Sequence, residues 1–255
     1  MLIDSHAHLD DKRFDGDRDR LIKSLKENGI ELVINPGADL QSSIKAVSLA
    51  EKYENIYAAV GVHPHSAKEM DDSTVEILKS FTHRDKVVAI GEIGLDYYYD
   101  NSPRDIQRKR FIEQLNLAKE VDLPVIIHSR EAAQETFDIL KDAQDGTLEG
   151  VLHCYSGSVE MAKEYIKLGF YISIAGPVTF KNSRILKEVA KEVPLDKLLI
   201  ETDSPYLTPE PYRGKRNEPI YVRYVAGTIA EAKGLEFAEI EKITSRNTKK
   251  LFRIK

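Results

Sequence analysis

The run VVAIGEIGLD, residues 87–96, is apolar at most positions and yet holds a carboxylate, Glu92, at its centre. Val- and Ile-rich runs of this length read as strands. A carboxylate inside such a strand is expensive unless it is paired or coordinates a metal, so the segment predicts a sheet and a cation together.

Seven similar runs surround it: LIDSHAHL (2–9), ELVINPG (31–37), IYAAVGVHP (56–64), LPVIIHSR (123–130), GVLHCYS (150–156), GFYISIAGP (169–177) and LLIETDSPY (198–206). Helical periodicity fills the intervals at 17–28, 41–53, 73–81, 103–121, 131–142, 159–168 and 183–193, and the tail 220–255 reads as two more helices covering the last strand. Strand and helix in alternation imply βαβ units with right-handed crossovers. Eight units predict an α/β fold, a (β/α)8 TIM barrel of the metallo-dependent hydrolase type. An open doubly wound sheet would give the same alternation.

A chain of 255 residues suits such a barrel as a single domain, 1–255, with no linker or low-complexity tract. Composition is 42% hydrophobic and 31% charged, which gives a soluble globular core and excludes disorder. There is no run of 18 apolar residues and no basic start followed by a long apolar region, so the expected compartment is the cytoplasm, with no membrane and no obligate protein partner. The single cysteine, Cys154, excludes an intrachain disulfide framework and agrees with a reducing environment. A net charge of −5 argues against broad attraction to nucleic acid, although bound cations and a few arginines can make one cleft positive.

The polar residues favour the barrel over the open sheet. Of seven histidines, six (His6, His8, His63, His65, His128 and His153) stand at or near the C-terminal ends of predicted strands, as do Glu92 and Asp203. A barrel gathers those ends on one face, where active sites of this fold lie. On a strand His6 and His8 share a face, as do Glu201 and Asp203. His6, His8, Glu92, His128, His153 and Asp203 are too many ligands for one tetrahedral zinc with an open position. They suit two divalent cations with Glu92 as bridge.

These residues resemble the TatD family of metal-dependent deoxyribonucleases, within the amidohydrolase-like barrels. The resemblance is carried by IDSHAHLD, VGVHPH, GEIGLDYY, PVIIHSR, LHCYSG and LLIETDSPY, in order over nearly the whole chain. It implies a hydrolase that cleaves phosphodiester bonds in DNA with divalent metal, and the family's ligands then fall on His6, His8, Glu92, His128, His153 and Asp203.

On this reading His6, His8, Glu92 and Asp203 hold one cation and Glu92, His128 and His153 the second, and zinc, magnesium and manganese all suit such donors. Asp203 accepts or orients the proton of the attacking water, while Glu201 fixes a ligating histidine through its other ring N–H. His63 contacts the phosphate or protonates the leaving oxygen. Arg130, on the face of His128, is a planar fork for phosphate. Tyr97 and Tyr98, in the Tyr97-Tyr98-Tyr99 triplet, can stack on unpaired bases, and Arg213, Lys215 and Arg216 in PYRGKRNEP (211–219) can hold a backbone of DNA, or of RNA. The competing enzyme reading is a binuclear amidohydrolase or esterase acting on an amide, ester or aminoacyl linkage. A bridging lysine, common in such enzymes, is absent from the predicted strand cores, and Glu92 takes that place.

Overall fold

The computed structural model describes residues 1–255, the side chain of Asp72 aside. Eight strands occur where the apolar runs predict them: β1 (Leu2–Asp4), β2 (Ile30–Pro36), β3 (Ile56–Val60), β4 (Val87–Asp96), β5 (Val125–Arg130), β6 (Gly150–Leu152), β7 (Tyr171–Ile174) and β8 (Leu198–Ile200). They form one sheet in chain order. The last strand returns to the first: Ser5 N–H donates to the Ile200 carbonyl at 3.1 Å, and an isolated parallel bridge joins Ala7 to Ser204. A parallel sheet in chain order whose ends meet is the expected (β/α)8 barrel.

The helices are α1 (Arg18–Ser24), α2 (Leu40–Lys52), α3 (Asp72–Phe81), α4 (Arg104–Glu120), α5 (Ala133–Ala143), α6 (Val159–Lys167), α7 (Arg184–Glu192), α8 (Val222–Lys233) and α9 (Phe237–Leu251). Their ends follow local chemistry. Asp39 opens α2 and Asp71 opens α3 as capping boxes, each accepting the backbone N–H three residues on. Gly234 ends α8 in the left-handed conformation that a residue with a Cβ resists. None of these helices is long and apolar enough to cross a membrane.

The chain divides into two compact units. The first comprises Met1–Asn35, His153–Lys167 and Tyr171–Lys255. Its core includes Ile3, Phe14, Ile22, Tyr165, Leu198 and Phe252, all buried. The tail helix α9 meets the start of β8, as anticipated, and also that of β1: Asn247 Nδ2 donates to the carbonyls of Leu195 (2.7 Å) and Leu198 (3.0 Å), and Ser245 Oγ to that of Met1 (2.8 Å).

The second unit comprises Pro36–Leu152 and Leu168–Phe170. Ile56, Ile90, Phe111, Leu115, Ile126 and Phe170 are buried in it. Truncating a fully buried phenylalanine costs about 3–5 kcal/mol. Phe111→Ala should therefore lose about that much in denaturant unfolding, and a loss below about 1 kcal/mol would contradict the packing described.

Candidate metal centre

Each unit carries one cluster of imidazole and carboxylate donors. In the first, β1 ends at Asp4, and His6 and His8 lie just beyond it rather than on a strand. The segment nevertheless stays extended and paired: Ala7 N–H donates to the Ile34 carbonyl (3.0 Å), His8 N–H to Ser204 (2.7 Å), and Asp203 N–H to His6 (2.9 Å). The alternation of side chains survives, and the two Nε2 atoms stand 3.2 Å apart. Asp203 Oδ1 is 3.4 Å from His8 Nε2 and 3.7 Å from His6 Nε2.

Three donors at the corners of a tetrahedron with bonds of about 2.1 Å would be separated by roughly 3.4 Å. The observed separations of 3.2, 3.4 and 3.7 Å fit a divalent cation. Burial works to raise the Asp203 carboxyl, but the hydrogen bond with His8 and the charges of His6, His8 and His153 outweigh it, and the net shift is downward.

His153 stacks on His6 with ring centroids 4.1 Å apart and planes 13° from parallel. Its Nδ1 is 3.3 Å from Glu201 Oε1, which also accepts the Cys154 N–H at 2.6 Å. His6, His153 and Glu201 form a second set of donors able to share an ion. Glu201 Oε2 is buried without a hydrogen-bond partner among the described residues, a state that a bound cation nearby would relieve. Glu201 and Asp203 lie beyond the strand, and each belongs to a donor set that includes His6. β8 stops at Ile200, and Asp203 takes a left-handed φ of 55°, as Cys154 does at 43°. Such values are uncommon for residues with a Cβ and mark places where surrounding structure holds the backbone against its preference.

Asp4 is a buried carboxylate that the sequence reading passed over. It accepts from Thr202 N (2.9 Å), Thr202 Oγ1 (2.5 Å) and His6 N (3.3 Å), tying the His6 segment to the start of the Asp203 segment. Burial pushes its carboxyl up to about 8 against the hydrogen bonds from Thr202 and His6. Its signal was the same parity that joined His6 and His8: positions 4, 6 and 8 alternate together.

In the second unit β4 supplies the centre. Gly94 pairs with His128 of β5, and Asp96 pairs with Arg130. Glu92, Gly94 and Asp96 alternate along β4, so His128 stands between two carboxylates. Its Nδ1 is 2.9 Å from Glu92 Oε1 and its Nε2 is 3.1 Å from Asp96 Oδ2. His63 Nε2 is 3.3 Å from the same Glu92 oxygen, completing a group of three potential ligands. His63 Nδ1 accepts the His65 backbone N–H at 3.1 Å. Burial, with the charge of His128 beside it, lowers the His63 imidazole to about 4. Asp96 and the contact of His65 with it (2.8 Å) were not anticipated, although Asp96 ends the run 87–96 on the Glu92 face.

Gly94 has a φ of 144°, and a Cβ there would lie 1.9 Å from the His128 carbonyl oxygen. Gly94→Ala must push β5 away and move the imidazole off Glu92. We expect zinc binding to weaken at least about tenfold, the range seen when a ligand's supporting contacts are lost, as read by competition with a chromogenic chelator. Unchanged affinity would show that His128 needs no such close approach.

The predicted substrate-contacting side chains fall into distinct surroundings. In the second unit Tyr97 is committed to packing: its hydroxyl donates to Glu135 Oε2 at 2.5 Å, and the Arg104 guanidinium lies 4.3 Å from its ring centre. Burial and that hydrogen bond push its phenol up to about 12. Tyr98 and Tyr99 are 59% and 54% exposed. The Arg130 guanidinium lies 4.1 Å from the Tyr98 ring centre and 4.8 Å from that of Tyr99.

In the first unit Arg213 lies over Phe180 at 4.2 Å, and Lys215 over Tyr212 at 5.3 Å. Arg216 donates to both Asp17 oxygens (2.7 Å each), to Glu218 Oε1 (2.8 Å) and to the Arg13 carbonyl (2.8 Å), and sits on Phe14. Arg216 thus pins the loop that carries it.

A (β/α)8 barrel with imidazole and carboxylate clusters able to bind metal defines the class of metal-dependent hydrolases. The family profile described as TatD related DNase matches residues 3–253, and the chain belongs to that family. It is 49% identical over 254 residues to the uncharacterized metal-dependent hydrolase YabD of Bacillus subtilis (strain 168), covering 100% of both chains. It is 38% identical over 257 residues to the uncharacterized metal-dependent hydrolase YcfH of Escherichia coli (strain K12), covering 100% of this chain and 96% of that one. The crystal structure of YjjV, a TatD homologue from Escherichia coli K12, superposes with a TM-score of 0.94 at 33% identity, covering 100% of this chain and 98% of that one.

Proposed function

We propose that this protein is a divalent-metal-dependent deoxyribonuclease that hydrolyses phosphodiester bonds, acting as an exonuclease on single-stranded ends. The observation that carries the reading is the near-tetrahedral spacing of His6, His8 and Asp203 donors at 3.2, 3.4 and 3.7 Å. The family's description as DNases supports the choice of substrate.

Of the anticipated ligands, His6, His8 and Asp203, with His153 beside them, would hold one cation, and Glu92 and His128 another, which His63, anticipated at the phosphate, would help to hold. Zinc, manganese and magnesium are the ions to test. When bound, such ions lower the pKa of water from 15.7 toward about 7 and neutralise charge on a phosphoryl oxygen.

The remaining work falls to the chain. Asp203, kept ionised by its histidine neighbours, accepts and orients the proton of the attacking water. Glu201 holds the His153 ring and the Cys154 amide with one oxygen. His63 has its Nδ1 occupied by the His65 N–H, so only Nε2 can face a cation or a leaving oxygen. Tyr98, with Arg130 on its ring, offers the platform for an unpaired base, and Tyr97, next in the chain, is fixed by Glu135 and Arg104. Arg213 and Arg216 contribute positive charge near a passing backbone, Arg216 chiefly by fixing its loop. We take residues 1–255 as one catalytic domain, because the family profile spans 3–253, and place it in the cytoplasm, in keeping with its lone cysteine.

End-labelled single-stranded and duplex DNA and RNA, incubated with each metal in turn, test the reading. Progressive loss of terminal nucleotides from single-stranded DNA is the expected result. Cleavage of carboxyl esters alone would replace it. Stacking on a base contributes about 1–3 kcal/mol, so Tyr98→Ala should raise KM for single-stranded DNA roughly 5- to 160-fold with kcat nearly constant. An unchanged KM removes the platform.

A further inference from the structure

Asp96 is 1% exposed and accepts hydrogen bonds on both oxygens. Oδ2 faces His128 Nε2 at 3.1 Å and His65 Nε2 at 2.8 Å. Oδ1 accepts the backbone N–H groups of Tyr98 (3.0 Å) and Tyr99 (2.9 Å). The backbone that carries it is held in place: Gln107 accepts the Asp96 N–H at 2.9 Å and donates to the Asp96 main-chain carbonyl at 3.1 Å. One oxygen therefore serves a candidate metal ligand, and the other serves the turn that carries the exposed tyrosines.

We propose that Asp96 is a positioning residue that sets the tautomer of His128 and, through its second oxygen, locks the Tyr98-Tyr99 turn. A carboxylate can only accept, and His128 faces one on each side; once a cation takes Nδ1 on the Glu92 side, a neutral ring carries its proton on Nε2, toward Asp96. A ligating imidazole whose far N–H is donated to a carboxylate is fixed in orientation and made more basic, and losing that partner typically weakens metal binding 10- to 100-fold. The half of the proposal that concerns the turn rests on the deoxyribonuclease reading above; the half that concerns His128 does not.

The test begins with the zinc-loaded wild-type chain labelled with 15N-histidine. Long-range nitrogen–proton couplings should show the His128 proton on Nε2. A proton on Nδ1 overturns the proposal without any variant being made. Asp96→Asn keeps an acceptor for the Tyr98 and Tyr99 amides and turns a donor toward His128. Titrated with zinc alone against a chromogenic chelator, it should bind one equivalent 10- to 100-fold more weakly than wild type. Affinity within twofold of wild type overturns the tautomer role.

Asp96→Ala releases the turn as well and should raise KM for a single-stranded oligonucleotide above that of Asp96→Asn. Equal KM values in the two variants overturn the coupling to the turn. If wild type binds zinc but leaves every nucleic acid intact, the deoxyribonuclease reading fails, and the spectroscopic and zinc-binding arms still decide the role of Asp96. If Asp96→Asn does not fold, the wild-type spectrum decides it.

Discussion

Exhaustive chelation is expected to abolish hydrolysis of end-labelled DNA, and a single divalent cation added back in excess to restore it. The effect should exceed about 1,000-fold, because a bound cation acts on the pKa of water across roughly eight units and no side chain in either cluster can replace that. The physical ground is the donor set itself. His6, His8 and Asp203 are within 3.7 Å of one another, and His63 and His128 both face one oxygen of Glu92 at 3.3 and 2.9 Å. Full activity in metal-stripped protein, checked by elemental analysis, would dismiss the metal-dependent mechanism.

Glu92→Ala should have the second large effect, and its signature separates a functional carboxylate from a structural one. Glu92 is buried in a strand that is otherwise almost wholly apolar. Removing one partner of a buried ion pair is costly when it strands a fixed charge, but the partners of Glu92 are the imidazoles His63 and His128, which can be neutral without it. The variant should therefore melt within a few degrees of wild type, lose one equivalent of zinc, and fall more than about 1,000-fold in kcat. Wild-type activity and metal content in Glu92→Ala would falsify the role assigned to it.

Most of the fold was legible because strand and helix periodicities alternate without interruption, and the starts of the eight runs were placed well. The ends were not. The run 198–206 carries a strand only over Leu198–Ile200, and 2–9 only over Leu2–Asp4. Beyond those points apolar and polar residues still alternate, but the backbone turns aside to present donors, and alternation alone cannot register that change. The pairing of His6 with His8 survived because the Ala7 bridge to Ser204 keeps that stretch extended. Glu201 and Asp203 lie past the end of their strand, where Asp203 adopts a positive φ; Glu201 meets His153 and Asp203 meets His8, and each shares a donor set with His6.

What remained hidden depended on partners distant along the chain. Arg216 reads as a free cation in its basic loop, and only the fold brings Asp17 against it. Asp96 was within view: it shares the parity of Glu92, but without the register that sets Gly94 beside His128 nothing distinguished it from a strand-ending acid.

The register of β4 against β5 has a consequence for how this segment tolerates change. Glu92 and Asp96 reach opposite nitrogens of one ring because four residues, two full pleats, separate them. A single-residue insertion or deletion between them would send one carboxylate to the other side of the sheet, whatever residue was added or lost. Side-chain identity in this stretch is negotiable at some positions, whereas its length is not.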